Sequence, residues 1–273
     1  MRGFLVRGGR GMSGDGNSSN GGADPKSMKP VLVIVGADKG GVGKTTISRT
    51  LLDYLNSASM PTRAFDSESP RGTLYRFFPK QTEIVDVTTA AHQVRMIDTL
   101  PTSDQKVTII DVRAGLLSPT LRTLTDVGFF DLVRNGDFHF ILFHILGPSV
   151  SSLEEIDEIS RYIQGQSYFL VKNFINEASF FDWSQDLSKE YAKGSKRAIE
   201  INIPKLNEMA YEQAELAGVP FSTFVANKNA RGNNAGYSLV LRGYVRTWMD
   251  QIIREYDRVR LLDHIAGRYV RVN

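Results

Sequence analysis

The run Val31-Leu-Val-Ile-Val35 leads directly into Gly36-Ala-Asp-Lys-Gly-Gly-Val-Gly-Lys-Thr-Thr46, and no other stretch restricts the fold as strongly. Five aliphatic residues in a row, most of them β-branched, read as a strand buried on both faces. Glycines 36, 40, 41 and 43 leave the following backbone free to curl around an anion. From Thr45 to about Asn56 the pattern then turns helical, with Ile47, Leu51, Leu52 and Leu55 on one face. A strand, a glycine-rich turn and a helix start present amide N–H groups and the positive helix end to negative charge. The segment reads as GxxxxGK[ST], its opening glycine supplied upstream of Asp38, and so as a phosphate-binding loop. Gly40, Gly41, Val42, Gly43, Lys44, Thr45 and Thr46 would form the cradle. Lys44 would reach β- and γ-phosphates, and the Thr45 hydroxyl would ligate Mg²⁺.

Composition removes whole classes of chemistry. The chain has 273 residues and no cysteine, which excludes disulfide scaffolds, thiolate metal sites and thiol nucleophiles. Its four histidines (His92, His139, His144, His264) are scattered, without the i, i+4 or HExxH spacing of a metal helix. No apolar run approaches the roughly 18 residues of a membrane span. The net charge of +3 is compatible with nucleic acid or acidic lipid and argues for neither.

Residues 1–30 hold 8 of the 24 glycines and little apolar material, and read as a disordered leader. Met12 or Met28 could serve as an alternative start. Beyond it, short apolar runs alternate with amphipathic stretches. Strands are expected at Thr62–Phe65, Glu83–Val87, Lys106–Asp111, Phe138–Leu146, Ser167–Phe174 and Arg197–Ile203. Helices are expected near Ser118–Val133, Ser151–Ile163, Asp182–Lys193 and Leu206–Ala217. The fold class is therefore α/β: a doubly wound, mostly parallel sheet covered on both faces, with 31–273 as one domain.

The octapeptide Lys39-Gly-Gly-Val-Gly-Lys44-Thr-Thr resembles the deviant Walker A motif of the ParA/MinD family of ATPases. In that family the first lysine reaches across a dimer interface to the partner's nucleotide. The resemblance thus implies ATP and Mg²⁺ as cofactors, a homodimer in the ATP state, and Lys39 and Lys44 as catalytic cations. It continues, with lapses, to about Phe221. An Asp-x-Asp pair that positions the attacking water corresponds to Asp66 and Glu68, with Asp66 also expected near the metal. Glutamate at the second position carries the charge on one more methylene, and a misplacement of about 1 Å can lower a rate on the order of 10². Arg71 replaces the glutamine usual after the proline, so binding is better supported than hydrolysis. Val107–Asp111 reads as a strand ending in a Walker B aspartate, with Asp111 holding Mg²⁺ through a water. Gly115 corresponds to the amide that meets the γ-phosphate in the family's Asp-x-Pro-Ala-Gly switch. There Arg113 replaces the proline, either as a cation near the terminal phosphate or as a solvated side chain. His144–Ser152 resembles a strand end followed by a Ser-capped helix; Asn173 and Pro204 correspond to base-site residues.

At the C-terminal end, Leu241, Val245, Trp248, Ile252 and Tyr256 recur at helical spacing in a helix expected over about 238–262. Its other face carries Arg242, Arg246, Arg254, Arg258 and Arg260, with Arg268 and Arg271 beyond. A solvated face, a non-specific DNA surface and a membrane-surface helix all remain open, the last disfavoured by the alternating charges of Val259–Val272. Lys228, Arg231 and a flexible loop over 232–236 precede it. Phe180, Phe181 and Trp183 form either a buried cluster or a partner-binding patch.

Two functions follow from the resemblance. One is a cytoplasmic, ATP-driven dimerisation switch, nucleoid- or membrane-associated in some members, that positions DNA or a protein assembly with an adaptor or stimulating protein. The other is a nucleotide-binding scaffold with negligible turnover.

Overall fold

The computed structural model describes residues 28–147, 150–163, 165–174 and 198–268. Among these residues, seven strands form one sheet: β1 (Val31–Gly36), β2 (Thr62–Asp66), β3 (Thr82–Ile84), β4 (Val107–Asp111), β5 (His139–Leu146), β6 (Ser167–Asn173) and β7 (Ile199–Ile203). Their order is β3-β2-β4-β1-β5-β6-β7, and every pairing is parallel. The chain adds strands to one side of β1 and then to the other. The C-terminal end of β1 is therefore the switch point, where two diverging connections open a crevice.

The side chains of β1 alternate between two cores. Val31, Val33 and Val35 pack with α1 (Lys44–Ser57) and the C-terminal helices. Leu32 and Ile34 face the opposite layer, which includes α2 (Ala90–Asp98), α3 (Leu117–Asp126), α4 (Phe129–Arg134) and α5 (Val150–Ser160). Each face of the sheet is thus covered by helices, as the all-aliphatic β1 requires.

The helix expected over 118–133 is two helices, because Gly128 takes a left-handed conformation (φ 74°) between α3 and α4. The strand expected to reach Val87 ends at Ile84. Neither α2 nor α7 (Phe221–Val225), which follows α6 (Glu208–Ala217), stood out in the sequence. The long C-terminal helix α8 runs over Leu239–Arg258 and buries Val245, Trp248, Met249, Ile252 and Tyr256 as core. It stops short of the expected 262. Arg260 adopts a left-handed φ of 54° before the short α9 (Leu261–Ile265). The loop over 232–236 is closed by hydrogen bonds, including Ala235 N–H to the Asn227 carbonyl and Tyr237 N–H to Asn227 Oδ1. The helix expected at 182–193 and the cluster Phe180, Phe181 and Trp183 lie outside the described residues, as does nearly all of the leader expected over 1–30.

Candidate nucleotide site

Parallel register gathers the candidate residues at one sheet edge. Val35 of β1 is paired with Asp111 of β4, and Asp111 with Asp66 of β2. The loop after Gly36 returns to start α1 at Lys44, with Gly41 (φ 73°) and Gly43 (φ 90°) left-handed. Side chains at these two positions would strain the turn, so the amides can face the crevice only with glycine there. Counting back from Gly43, the first glycine of GxxxxGK[ST] falls on Asp38 and not upstream of it. Asp38 has no left-handed backbone and needs no glycine. Its carboxylate caps α3, accepting from Leu117 N–H at 2.8 Å and from the Ser118 hydroxyl at 2.5 Å.

A cavity of about 780 Å³ opens over this loop. Gly40, Gly41, Gly43, Lys44, Thr45, Thr46, Glu68 and Ala114 line one side, and Lys205, Leu206, Glu208 and Tyr211 the other. The Lys44 ammonium donates to the Lys39 carbonyl at 3.1 Å. Burial lowers its pKa, opposed chiefly by the carboxylates of Asp111 and Glu68. Thr46 Oγ1 lies 3.3 Å from the Tyr211 hydroxyl, which joins the cleft's two walls.

Asp111 is buried, and its pKa is pushed up to about 7 by desolvation first and by Asp66 second; Thr45, Ser48 and Lys44 act in the opposite direction. Its Oδ1 has no well-formed hydrogen bond among the described residues. An orphaned carboxylate oxygen close to the Thr45 hydroxyl suits a hard cation that also takes oxygens from phosphate and water. No group of three or more His, Asp or Glu among the described residues could cage a metal alone. A cation here would therefore be held jointly by Thr45, Asp111 and its anion.

Three expected roles look different in the structure. The Asp66 carboxylate accepts three amides of its own loop: Glu68 at 2.9 Å, Leu74 at 2.6 Å and Tyr75 at 3.0 Å. It lies fully buried beneath the cleft and shapes the loop that carries Glu68, whereas Glu68 itself faces the cavity. The Gly115 amide donates to the Asp38 carbonyl at 2.9 Å, so meeting a phosphate requires that bond to open. Asn173, nearly buried, donates from Nδ2 to the Val42 carbonyl at 2.9 Å and braces the loop from below. Pro204 sits one residue before the lining Lys205, and its carbonyl accepts from Trp248 Nε1 at 2.7 Å.

Lys39 is exposed, and its stem lies over Gly147 at the end of β5. A Cβ at Gly147 would stand 3.1 Å from Lys39 Cδ and 3.0 Å from Val42 Cγ1. A buried polar chain supports the loop from the same side. The Tyr168 hydroxyl lies 2.8 Å from His144 Nδ1, His144 Nε2 is 3.1 Å from Glu155 Oε1, and that oxygen accepts Asp38 N–H at 2.5 Å. Burial works to raise the Glu155 pKa, but the His144 contact, the Asp38 amide and Lys44 outweigh it and hold the value below the ordinary one.

Much of the C-terminal arginine row is already engaged. Arg242 donates to the Val225 and Tyr237 carbonyls, Arg258 to Glu255 and the Glu200 carbonyl, and Arg260 and Arg268 to Asp263. Arg246 and Arg254 are exposed, and Arg271 lies outside the described residues. No helix among the described residues is long and apolar enough to cross a membrane.

A glycine-rich loop at the switch point of a wholly parallel sheet, with Lys44 and Thr45 opening the next helix and an acidic strand end beside them, defines a P-loop nucleotide-binding fold. Among solved structures, the septum site-determining protein MinD from Pyrococcus horikoshii OT3, complexed with Mg-ADP, has this fold. It matches 85% of this chain and 97% of its own at 13% identity, with a TM-score of 0.53. A ParA family ATPase from Chlorobium tepidum TLS is 16% identical over 81% of this chain and 98% of its own, with a TM-score of 0.45. A nucleotide-binding protein in complex with ADP from Archaeoglobus fulgidus is 13% identical over 68% and 86%, with a TM-score of 0.46. The MinD likeness bears out the ParA/MinD resemblance at the level of the fold. No protein-family model matches the sequence, and neither does any curated protein.

Proposed function

We propose that this chain is a Mg²⁺- and ATP-dependent switch of the ParA/MinD type, dimeric in its ATP state. The observation that carries the reading is the loop Lys39–Thr46 curled at the end of β1, with the orphaned Asp111 oxygen beside Thr45. Loop amides and the start of α1 would bind the phosphates, and Lys44, already in the cleft, would neutralise them. Thr45 and Asp111 would hold Mg²⁺, whose charge offsets that of the phosphates and of any developing leaving group. Glu68, a carboxylate that lines the cavity on the side of the loop, would orient water, and Asp66 positions the loop that carries it. Tyr211, Lys205 and Leu206 form the far wall, where the nucleoside would lie, with Pro204 behind them.

In the dimer, Lys39 would leave Gly147 and deliver its ammonium to the partner's nucleotide, comparable to an arginine finger worth roughly 10³–10⁵ in rate. Such a switch would position DNA or a protein assembly with a stimulating protein. The test is molecular mass by light scattering with MgATP and with MgADP. Doubling with MgATP alone, abolished by Lys39→Ala while nucleotide binding persists, supports the reading; unchanged dimerisation in Lys39→Ala contradicts it.

A scaffold with negligible turnover is the second reading. It is favoured by the complete engagement of Asp66 and by the pairing of Glu68 with Arg113. Phosphate release measured with and without DNA, lipid vesicles and candidate proteins separates the two, since stimulated release rules out the scaffold.

A further inference from the structure

Arg113 opens the loop after β4, and its main chain is fixed on both sides. Its amide donates to the Ser67 hydroxyl at 2.7 Å, and its carbonyl accepts Leu116 N–H at 3.1 Å. The same loop is tied to the phosphate-binding loop by Gly115 and Leu117, which donate to the main chain and carboxylate of Asp38. Ala114, the next residue, lines the cleft. The backbone therefore holds Arg113 at the cleft's rim.

The guanidinium is held far more loosely. It is 55% exposed, and its Nε lies 3.9 Å from Glu68 Oε1, beyond hydrogen-bond distance. Half-exposed ion pairs of this kind are weak and easily exchanged. A phosphoryl group offers a guanidinium short, bidentate, charge-assisted bonds, which a distant carboxylate does not. A terminal phosphate arriving in the cleft also brings negative charge toward Glu68, which lines it. Lys44, which donates to the Lys39 carbonyl, would meet the β-phosphate of a diphosphate and of a triphosphate; a cation beside Glu68 would meet chiefly the added terminal phosphate.

We propose that Arg113 reads the terminal phosphate: it pairs with Glu68 while the cleft holds a diphosphate, and transfers to the terminal phosphoryl group of a triphosphate, leaving Glu68 to turn toward the cleft. This rests on the ATP reading above, and it makes Arg113 a specificity-determining residue.

The test is calorimetric titration of the full chain with Mg-AMP-PNP and with MgADP, comparing wild type, Arg113→Ala and Arg113→Lys. Arg113→Ala should weaken Mg-AMP-PNP binding roughly tenfold to a hundredfold and MgADP binding by less than about twofold, with part of the loss restored by lysine. Glu68→Gln removes the competing partner as well as a negative charge in the cleft, and should tighten Mg-AMP-PNP binding more in the wild-type background than beside Arg113→Ala. Arg113→Gln provides the same comparison if the alanine variant folds poorly. Equal losses for both nucleotides, or none for either, would overturn the proposal. If the wild type itself binds neither nucleotide, the ATP reading fails with it, and the wild-type titrations alone reveal that case.

Discussion

Asp66 and Asp111 stand in register on adjacent strands, and their carboxylates meet opposite surroundings. Asp66 accepts three amides from its own loop, whereas Asp111 keeps an oxygen without a partner. One buried carboxylate is thereby satisfied by the fold, and the other leaves an oxygen that suits the proposed Mg²⁺ site.

Asp111 should make metal-free stability fall as pH rises. Its folded pKa, about 7, lies above the ordinary 3.8, so the fold favours the protonated acid. That contribution is complete below the unfolded pKa and is lost as pH climbs through about 7, with an upper bound of a few kcal/mol. Asp111→Asn should flatten the dependence, raise the metal-free melting temperature at pH 8 and abolish further stabilisation by Mg²⁺ with nucleotide. Thermal melts across pH 5–9 test all three.

Asp66→Asn should destabilise the chain itself. A carboxamide cannot accept all three amides without turning its own N–H₂ toward one of them, at a cost of about 2–4 kcal/mol. Denaturant unfolding checks this. Loss of turnover with unchanged stability would instead make Asp66 a direct participant in chemistry.

The β1–loop–α1 unit was legible because its signals are local: an unbroken aliphatic run, glycines where the backbone turns left-handed, and a helical repeat. Asp111 was legible as the end of a second apolar strand. Lys205, Glu208 and Tyr211 were missed as site residues, since only β7 and α6, far along the chain, bring them across from the loop. The engagement of Asp66 by Leu74 and Tyr75 has no local signature either. Gly128 could have warned of the break between α3 and α4. Nothing in its residue type marks Arg260 as left-handed, so the helical pattern of the sequence runs on past the end of α8.

Gly147→Ala should disturb the loop without touching the cavity. Its new methyl group would press on Val42 Cγ1, Lys39 Cδ and Ser152 Oγ at 3.0, 3.1 and 3.3 Å. Overpacking at such contacts costs about 1–3 kcal/mol, so nucleotide affinity should fall by roughly tenfold. Fluorescent-nucleotide titration measures it.

Glu155→Gln should loosen the same loop from the other side, by weakening both the His144 contact and the bond from Asp38 N–H. The depressed pKa of Glu155 means that its contribution is present above the unfolded value near 4.5 and is lost as pH falls through the lower folded value. The wild type should therefore lose this stabilisation in acid and the variant should lack it throughout. Acid titration of the unfolding free energy for both chains tests the difference.

The central claim is that the cleft at the end of β1 binds a nucleoside triphosphate with magnesium. Titration of the full chain and of Lys44→Ala with Mg-AMP-PNP tests it most directly. Saturable one-to-one binding by the wild type, weakened at least roughly a hundredfold in the variant, is the expected result. No binding by the wild type, or equal binding by both, would contradict the account.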